Sequence, residues 1–258
     1  MSLICTVRGC GLPLVREAGR VVCQRAHSFD VSRSGYVNLL QPQDRKSKQP
    51  GDTPEAVAAR RRLHDRGVTH SLLRAIAEMV EVSAHDTVLD AGCGDGFYLG
   101  SIGGSPAAGP RCGVDISIPA VDLAARRYPG CEWVVANADR QVPYSDGSFS
   151  VVMSITARMN SPEFRRVIRD DGRLLIAVPA PDDLVELRGV GRDRAERTID
   201  AFRKEFALAG EQRATAIADL DLEGVNDVLH SIYRPIRFKP LTAMRVTFSL
   251  DLLLFRVH

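Results

Sequence analysis

The stretch Val88-Leu89-Asp90-Ala91-Gly92-Cys93-Gly94-Asp95-Gly96 decides how this 258-residue chain folds. A short apolar, β-branched run carries an acidic residue near its end, and glycines follow at alternate positions. Gly92 permits a tight turn, while Gly94 and Gly96 let the backbone approach a ligand closely, because none has a Cβ. The residues from Phe97 onward are patterned as a helix, so the whole reads strand, turn, helix. Nineteen residues past Gly96, a second run ends in Gly113-Val114-Asp115. An acidic side chain there can accept hydrogen bonds from both hydroxyls of a ribose.

Outward from this turn, β-branched runs alternate with helical segments. Strands are expected at 87–91, 111–115, 132–136, 149–155 and 173–178, and helices at 97–102, 119–127, 162–168 and 192–208. That alternation predicts an α/β fold with a doubly wound parallel sheet. Runs at 214–220 and 245–257 are separated by too little helix for another full repeat, so an antiparallel edge pair closes the sheet. Upstream, Thr53-Pro54-Glu55 has the signature of a helix start, and helical patterning continues to about Val82 with a break near Gly67. The expected division is a small domain at 1–38, a polar, Pro-containing linker at 39–54 and the α/β body at 55–258.

The small domain carries Cys5-x4-Cys10-x12-Cys23-x3-His27. Two short ligand pairs on two turns supply the four soft or borderline donors of a tetrahedral zinc, and Gly9 and Gly11 suit a turn that aims thiolates inward. A closed Cys3His site has no open position, so the metal would be structural, and it would stabilise a segment too small to fold on apolar burial. Residues 1–11 lack the apolar core of a secretory leader, and no run approaches the roughly 18 apolar residues of a membrane span. A reducing, cytoplasmic compartment is expected, where clustered thiols bind metal in preference to forming disulfides.

Lys+Arg number 34 against 32 Asp+Glu, a net of +2 that conceals an asymmetry. Residues 1–74 hold 13 basic and 6 acidic side chains (+7), and residues 75–258 hold 21 and 26 (−5). A basic front on an acidic body hints at an anionic partner, with a solvated helical face the alternative for Arg60, Arg61 and Arg62; were the partner RNA, Arg45, Lys46, Lys48, Arg60, Arg61 and Arg62 would be the phosphate contacts.

Asp90 is a poor neighbour for a pyrophosphate and a good one for an ammonium group. The loop therefore resembles motif I of the class I S-adenosylmethionine-dependent methyltransferases, whose cofactor has an amino-acid end. The resemblance implies cofactor binding by Asp90, Gly92, Gly94, Asp95, Gly96 and Asp115, with adenine beside Asn137 and Ala138. The segments 143–152 and Asp170-Asp171-Gly172 also fit that pattern. A more specific likeness lies in the Cys3His front end, Gly35-Tyr36-Val37-Asn38-Leu39-Leu40, Pro50-Gly51-Asp52 and Ala59-Arg60-Arg61. Together these resemble the bacterial large-subunit rRNA guanine-N1 methyltransferases with a zinc-ribbon front, which implies a possible homodimer as well.

Departures fall around the acceptor. The family's Gly-His-Tyr corresponds to Gly67-Val68-Thr69, its histidine before Leu184 to Asp183, and its Ala-Pro after the fourth strand to Ala157-Arg158. Its Thr-Pro-x-x-Trp segment has no counterpart in 229–240. Two substrates remain open at this point: N1 of a guanine in rRNA, or a cationic guanidino small molecule such as arginine or an arginine-derived antibiotic intermediate. Asp182, Asp183 and Glu186 could pair with a guanidinium, and either nitrogen needs a base, for which Asp183 and Glu186 are candidates with Asp182 beside them and Tyr36 a further one. A non-catalytic RNA-binding factor on the same scaffold is the third reading.

Overall fold

The computed structural model describes residues 1–45, 50–102, 109–232 and 242–258. Lys46, Lys48 and most of the segment compared with Thr-Pro-x-x-Trp lie outside the described residues. At the front, β1 (Leu14–Glu17), β2 (Arg20–Cys23) and β3 (Ser28–Asp30) form a three-stranded antiparallel sheet. Gly19, at φ +74°, takes the left-handed position in the turn between β1 and β2. The chain then leaves this ribbon through β4 (Val37–Asn38), which pairs in parallel with Val134 and Val135 at the edge of a second sheet.

Two helices follow. α1 (Pro54–Asp65) starts as expected, with Thr53 Oγ1 accepting from the Ala56 amide at 3.3 Å. It stops before Gly67, whose φ of +77° breaks the helical path, and α2 (His70–Val80) continues on a new axis. The body then alternates β5 (Val88–Ala91), α3 (Phe97–Ser101), β6 (Arg111–Asp115), α4 (Ile118–Arg127), β7 (Glu132–Val135), β8 (Phe149–Ile155), α5 (Ser161–Val167) and β9 (Ile168–Pro179). It ends with α6 (Val185–Arg188), α7 (Ala195–Phe202), β10 (Phe206–Leu220), α8 (Leu222–Ser231) and β11 (Met244–Val257). The eight-stranded sheet runs β10-β11-β9-β8-β5-β6-β7-β4. β11 alone runs against the rest of the sheet, and it forms with β10 the antiparallel edge pair that the sequence leads one to expect.

Every residue of β8 is buried, the mark of a central parallel strand covered on both faces. Strand order reverses between β5 and β8, both parallel to each other, and in open α/β sheets the crevice beyond that switch point receives ligands.

Two expectations are corrected. The helix expected at 192–208 ends at Phe202, and the strand expected at 214–220 begins at Phe206. Phe206 pairs with Val257 and packs in one aromatic cluster with Phe202 and Phe255 (ring centroids 6.0 and 6.4 Å), so tertiary burial overrides the helical propensity of 203–208. α8 was not expected either. Asp221 caps it through the Gly224 amide (2.8 Å), and it packs along α1 through Arg62–Asp227 and Arg66–Asp221.

At the entry to β5, the Asp86 carboxylate takes hydrogen bonds from Ser83, Ser150 and Arg173 (2.9 Å). Burial works to raise its pKa, but Arg173, Ser150 and Ser83 outweigh it and hold the carboxyl well below the usual range. Its stabilisation is therefore present at neutral pH and is lost as pH falls below about 4. Asp86→Ala is expected to cost about 3 kcal/mol in urea unfolding at pH 7, because it leaves the mostly buried Arg173 guanidinium without its carboxylate. The difference from wild type should shrink at pH 3.

Candidate cofactor and metal sites

In the ribbon, Cys5, Cys10, Cys23 and His27 converge, with their ligand atoms all within 4.8 Å of one another. His27 presents Nδ1, 3.3 Å from Cys5 Sγ and 3.5 Å from Cys23 Sγ. The loose x4 gap is taken up by a turn in which the Cys10 amide donates to Val7 O (2.9 Å) and the Gly11 amide to Cys5 O (3.2 Å). The second knuckle closes through Ala26 N–H to Cys23 O and Cys23 N–H to His27 O. Three thiolates and one imidazole at these separations suit a tetrahedral zinc.

The glycine loop lies at the carboxyl end of β5, against β6. The Gly92 amide donates to Val114 O at 2.7 Å, and the Gly94 amide donates to Asp115 Oδ2 at 3.0 Å. Asp115 Oδ1 accepts from the Ser117 amide at 2.8 Å, which aims the carboxylate across the loop. A Cβ on Gly96, at φ +76°, would stand 2.5 Å from Trp133 Cη2 and 2.9 Å from Ala124 Cβ, so glycine alone fits there.

Asp90 is wholly buried, and its Oδ1 has no hydrogen-bond partner among the described residues. Burial pushes its pKa up to about 8, with Asp115 and Asp95 adding to the effect. A buried carboxylate without a cation is costly, and an ammonium group seated in the loop would restore its charge balance. The orphaned oxygen, the loop amides and the acid that ends β6 fit the amino-acid end and ribose of S-adenosylmethionine. Asp95 is answered within the protein by Arg61 Nη1 (3.4 Å). His64 stacks on Phe97 with centroids 3.9 Å apart, and burial followed by Arg60 and Arg61 lowers its pKa to about 3, so it stays neutral beside them.

Asn137 follows β7, and its side-chain amide donates to Asp44 O (3.1 Å), while Ala138 packs on the core under the ribbon. The three carboxylates after β9 diverge. Glu186 spends its oxygens on the Thr247 amide (3.0 Å) and hydroxyl (2.7 Å). Asp182 Oδ1 is 3.9 Å from Arg213 Nη1, an ion pair too long for a hydrogen bond. Asp183 accepts from the Ser249 amide (3.1 Å), and its field reaches the Tyr98 hydroxyl just after the glycine loop. Thr156, directly after β8, and Leu184, at the start of α6, both hold φ +52°. Left-handed backbone at a β-branched threonine is strained, and such strain gathers at functional sites. Tyr36 instead sits half-buried near Asp122.

The arginines expected to meet phosphate do something different. Arg60 pairs with Asp52 (2.5 Å), Arg61 with Asp65 (2.6 Å) and Asp95, and Arg62 with Asp227 (2.6 Å). Positive charge counted along the sequence is thus spent on ion pairs within the fold, exposed Arg62 included, and of the described residues of that set Arg45 alone has no ion pair.

Sheet order, the glycine loop at its switch point and the acid that ends β6 define a class I S-adenosylmethionine-dependent methyltransferase domain. Residues 88–176 match the family model described as Methyltransferase domain, and residues 4–48 match the zinc-ribbon model described as RlmA, N-terminal. The chain belongs to the RlmA-type 23S rRNA guanine-N1 methyltransferase family. A Streptomyces fradiae protein named 23S rRNA (guanine(748)-N(1))-methyltransferase is 33% identical over 230 residues, covering 85% of this chain and 81% of its own. YxjB of Bacillus subtilis (strain 168), a candidate 23S rRNA (guanine-N(1)-)-methyltransferase by name, is 37% identical over 225 residues, covering 81% and 78%. A chain from a Haloferax volcanii complex of the Trm112 methyltransferase activator with a candidate methyltransferase superposes with a TM-score of 0.55 at 20% identity. That match covers 79% of this chain and 97% of the other and speaks for the fold alone.

Proposed function

We propose that this protein transfers a methyl group from S-adenosylmethionine to N1 of a guanine in 23S rRNA. The observation that carries the cofactor half of the reading is the partnerless Asp90 oxygen under a glycine loop whose neighbouring acid, Asp115, is already aimed across it, and the relatives 33% and 37% identical support the acceptor. The cofactor supplies an electrophilic methyl on sulfonium sulfur. The residues' own work is alignment and the handling of one proton, since guanine N1 is protonated at neutral pH. Asp90 takes the ammonium, Asp115 the ribose hydroxyls, and the turn around Asn137 and Ala138 borders the adenine. The target base has to be presented unpaired, with its Watson–Crick edge free.

For the proton, Asp183 is the base. Burial raises its pKa above the usual carboxylate range, with the Ser249 amide and Arg188 opposing. A raised pKa makes it a stronger base, ionised above that value and idle below it. Asp183→Asn is expected to lower the single-turnover rate about 100-fold while cofactor affinity changes less than threefold. An unchanged rate would remove Asp183 from the mechanism.

The functional division follows the chain: a zinc ribbon at 1–38, a connection at 39–54 and the methyltransferase at 55–258. No described helix is long and apolar enough to cross a membrane. A cytoplasmic setting and a homodimer rest on family resemblance. The guanidino alternative has little support, because both oxygens of Glu186 are spent on Thr247 and Asp182 already faces Arg213. The test is methyl transfer from labelled cofactor to 23S rRNA, mapped by primer-extension stops at the modified guanine, beside a panel of guanidino compounds. Label on a small guanidine with none on RNA would overturn the rRNA assignment.

A further inference from the structure

The inward turn of Arg60 has a second consequence. Its Nη1 donates to Asp52 (2.5 Å) and its Nη2 to the Ser231 carbonyl (2.9 Å). Nη1 also lies 3.8 Å from the point a Cβ on Gly94 would occupy, beside the glycine loop. Among the described residues, two guanidinium groups reach that loop, and they are differently occupied. Arg61 gives Nε and Nη2 to Asp65 and Nη1 to the Tyr128 hydroxyl and Asp95. Arg60 has five N–H bonds, of which the described structure uses two. Burial works against its charge, and Asp52, Asp95 and Asp115 more than offset that.

The amino-acid end of the cofactor carries an ammonium and a carboxylate on the same carbon. A loop ringed by Asp90, Asp95 and Asp115 can hold the first and repels the second, so the carboxylate requires a cation within the width of an amino acid. We propose that Arg60 receives the carboxylate of S-adenosylmethionine while Asp90 holds its ammonium. Asp52 keeps the guanidinium in place and is itself anchored, since its carbonyl accepts from Ser117 Oγ at 2.8 Å. Gly51 packs so closely on Ser117 that a Cβ would come within 2.7 Å of that side chain's own Cβ. The Pro50-Gly51-Asp52 segment thereby fixes Arg60 to the same turn that positions Asp115.

This inference rests on the cofactor reading above, and a ligand pair separates the two. Binding of S-adenosylmethionine and of decarboxylated S-adenosylmethionine is measured by calorimetry for wild type, Arg60→Met and Arg60→Lys. Wild type is expected to bind the decarboxylated compound about 30-fold more weakly, the worth of one charge-assisted hydrogen-bonded pair. Arg60→Met should lose about 30-fold for S-adenosylmethionine and should no longer distinguish the two ligands. Arg60→Lys should retain part of the discrimination as a point charge. Equal losses for both ligands in Arg60→Met would make Arg60 a structural brace and overturn the proposal. Failure of wild type to bind either compound would instead overturn the cofactor reading itself.

Discussion

Asparagine in place of Asp115 is expected to weaken S-adenosylhomocysteine binding about 100-fold or more, with the protein still folded. The carboxylate accepts from two loop amides, Gly94 (3.0 Å) and Ser117 (2.8 Å), one on each oxygen. An amide side chain must turn its NH2 toward one of those N–H groups, so one donor is left facing another donor. It also replaces a charged acceptor for the ribose hydroxyls with a neutral one, and hydrogen bonds to charged acceptors are worth roughly 1.5–3 kcal/mol each. Loss of two such bonds gives a factor of about 100 or more.

The same substitution should move a titration. Asp90 is pushed up to about 8, first by burial and then by Asp115. An acid so raised is protonated below pH 8, and only its ionised form attracts an ammonium, so wild-type affinity should climb between pH 6 and 8. In Asp115→Asn that rise should shift to lower pH, because one of the opposing charges is gone. Calorimetry across pH checks both parts. Affinity within threefold of wild type would remove Asp115 from the ribose site.

Much of this site was legible because backbone chemistry writes itself into sequence. Gly92, Gly94 and Gly96 all take positive φ, and the acid that ends β6 falls at a fixed distance along a βαβ unit. The metal ligands were legible for a similar reason, as short spacings on two turns. What spacing cannot convey is where a side chain goes once its helix is packed. Arg60, Arg61 and Arg62 read as one basic stripe, yet three different carboxylates on three different segments claim them. Asp227 lies 165 residues from Arg62, and no local pattern joins the two. The same limit hid the start of β10, since Phe206 becomes a strand residue through Phe255, near the other end of the body.

Removal of zinc should divide the protein's two tasks. The ribbon strands β1 to β3 bury only Leu14, Val21, Cys23 and Phe29, too little apolar surface to hold a sheet without help. A structural zinc contributes about 10 kcal/mol or more to folding such a unit, so Cys23→Ser or exhaustive chelation should melt it. The junction with the body is built differently. Ile4 N–H donates to Pro143 O (3.0 Å), Arg140 to Thr6 O (2.6 Å), and Thr6 Oγ1 to Leu39 O (2.6 Å), and none of these bonds involves the metal. Melting should therefore stop short of the large sheet, where the glycine loop, Asp90 and Asp115 lie. In Cys23→Ser, zinc should fall from about one equivalent to below a tenth by mass spectrometry, and amides of 14–30 should lose their protection from hydrogen exchange. S-adenosylhomocysteine affinity should change less than threefold, while methyl transfer to 23S rRNA falls about 100-fold with loss of the folded ribbon. Equal collapse of cofactor affinity would mean that the ribbon and the sheet fold as one unit, and full rRNA methylation without zinc would mean that the ribbon does not meet the RNA.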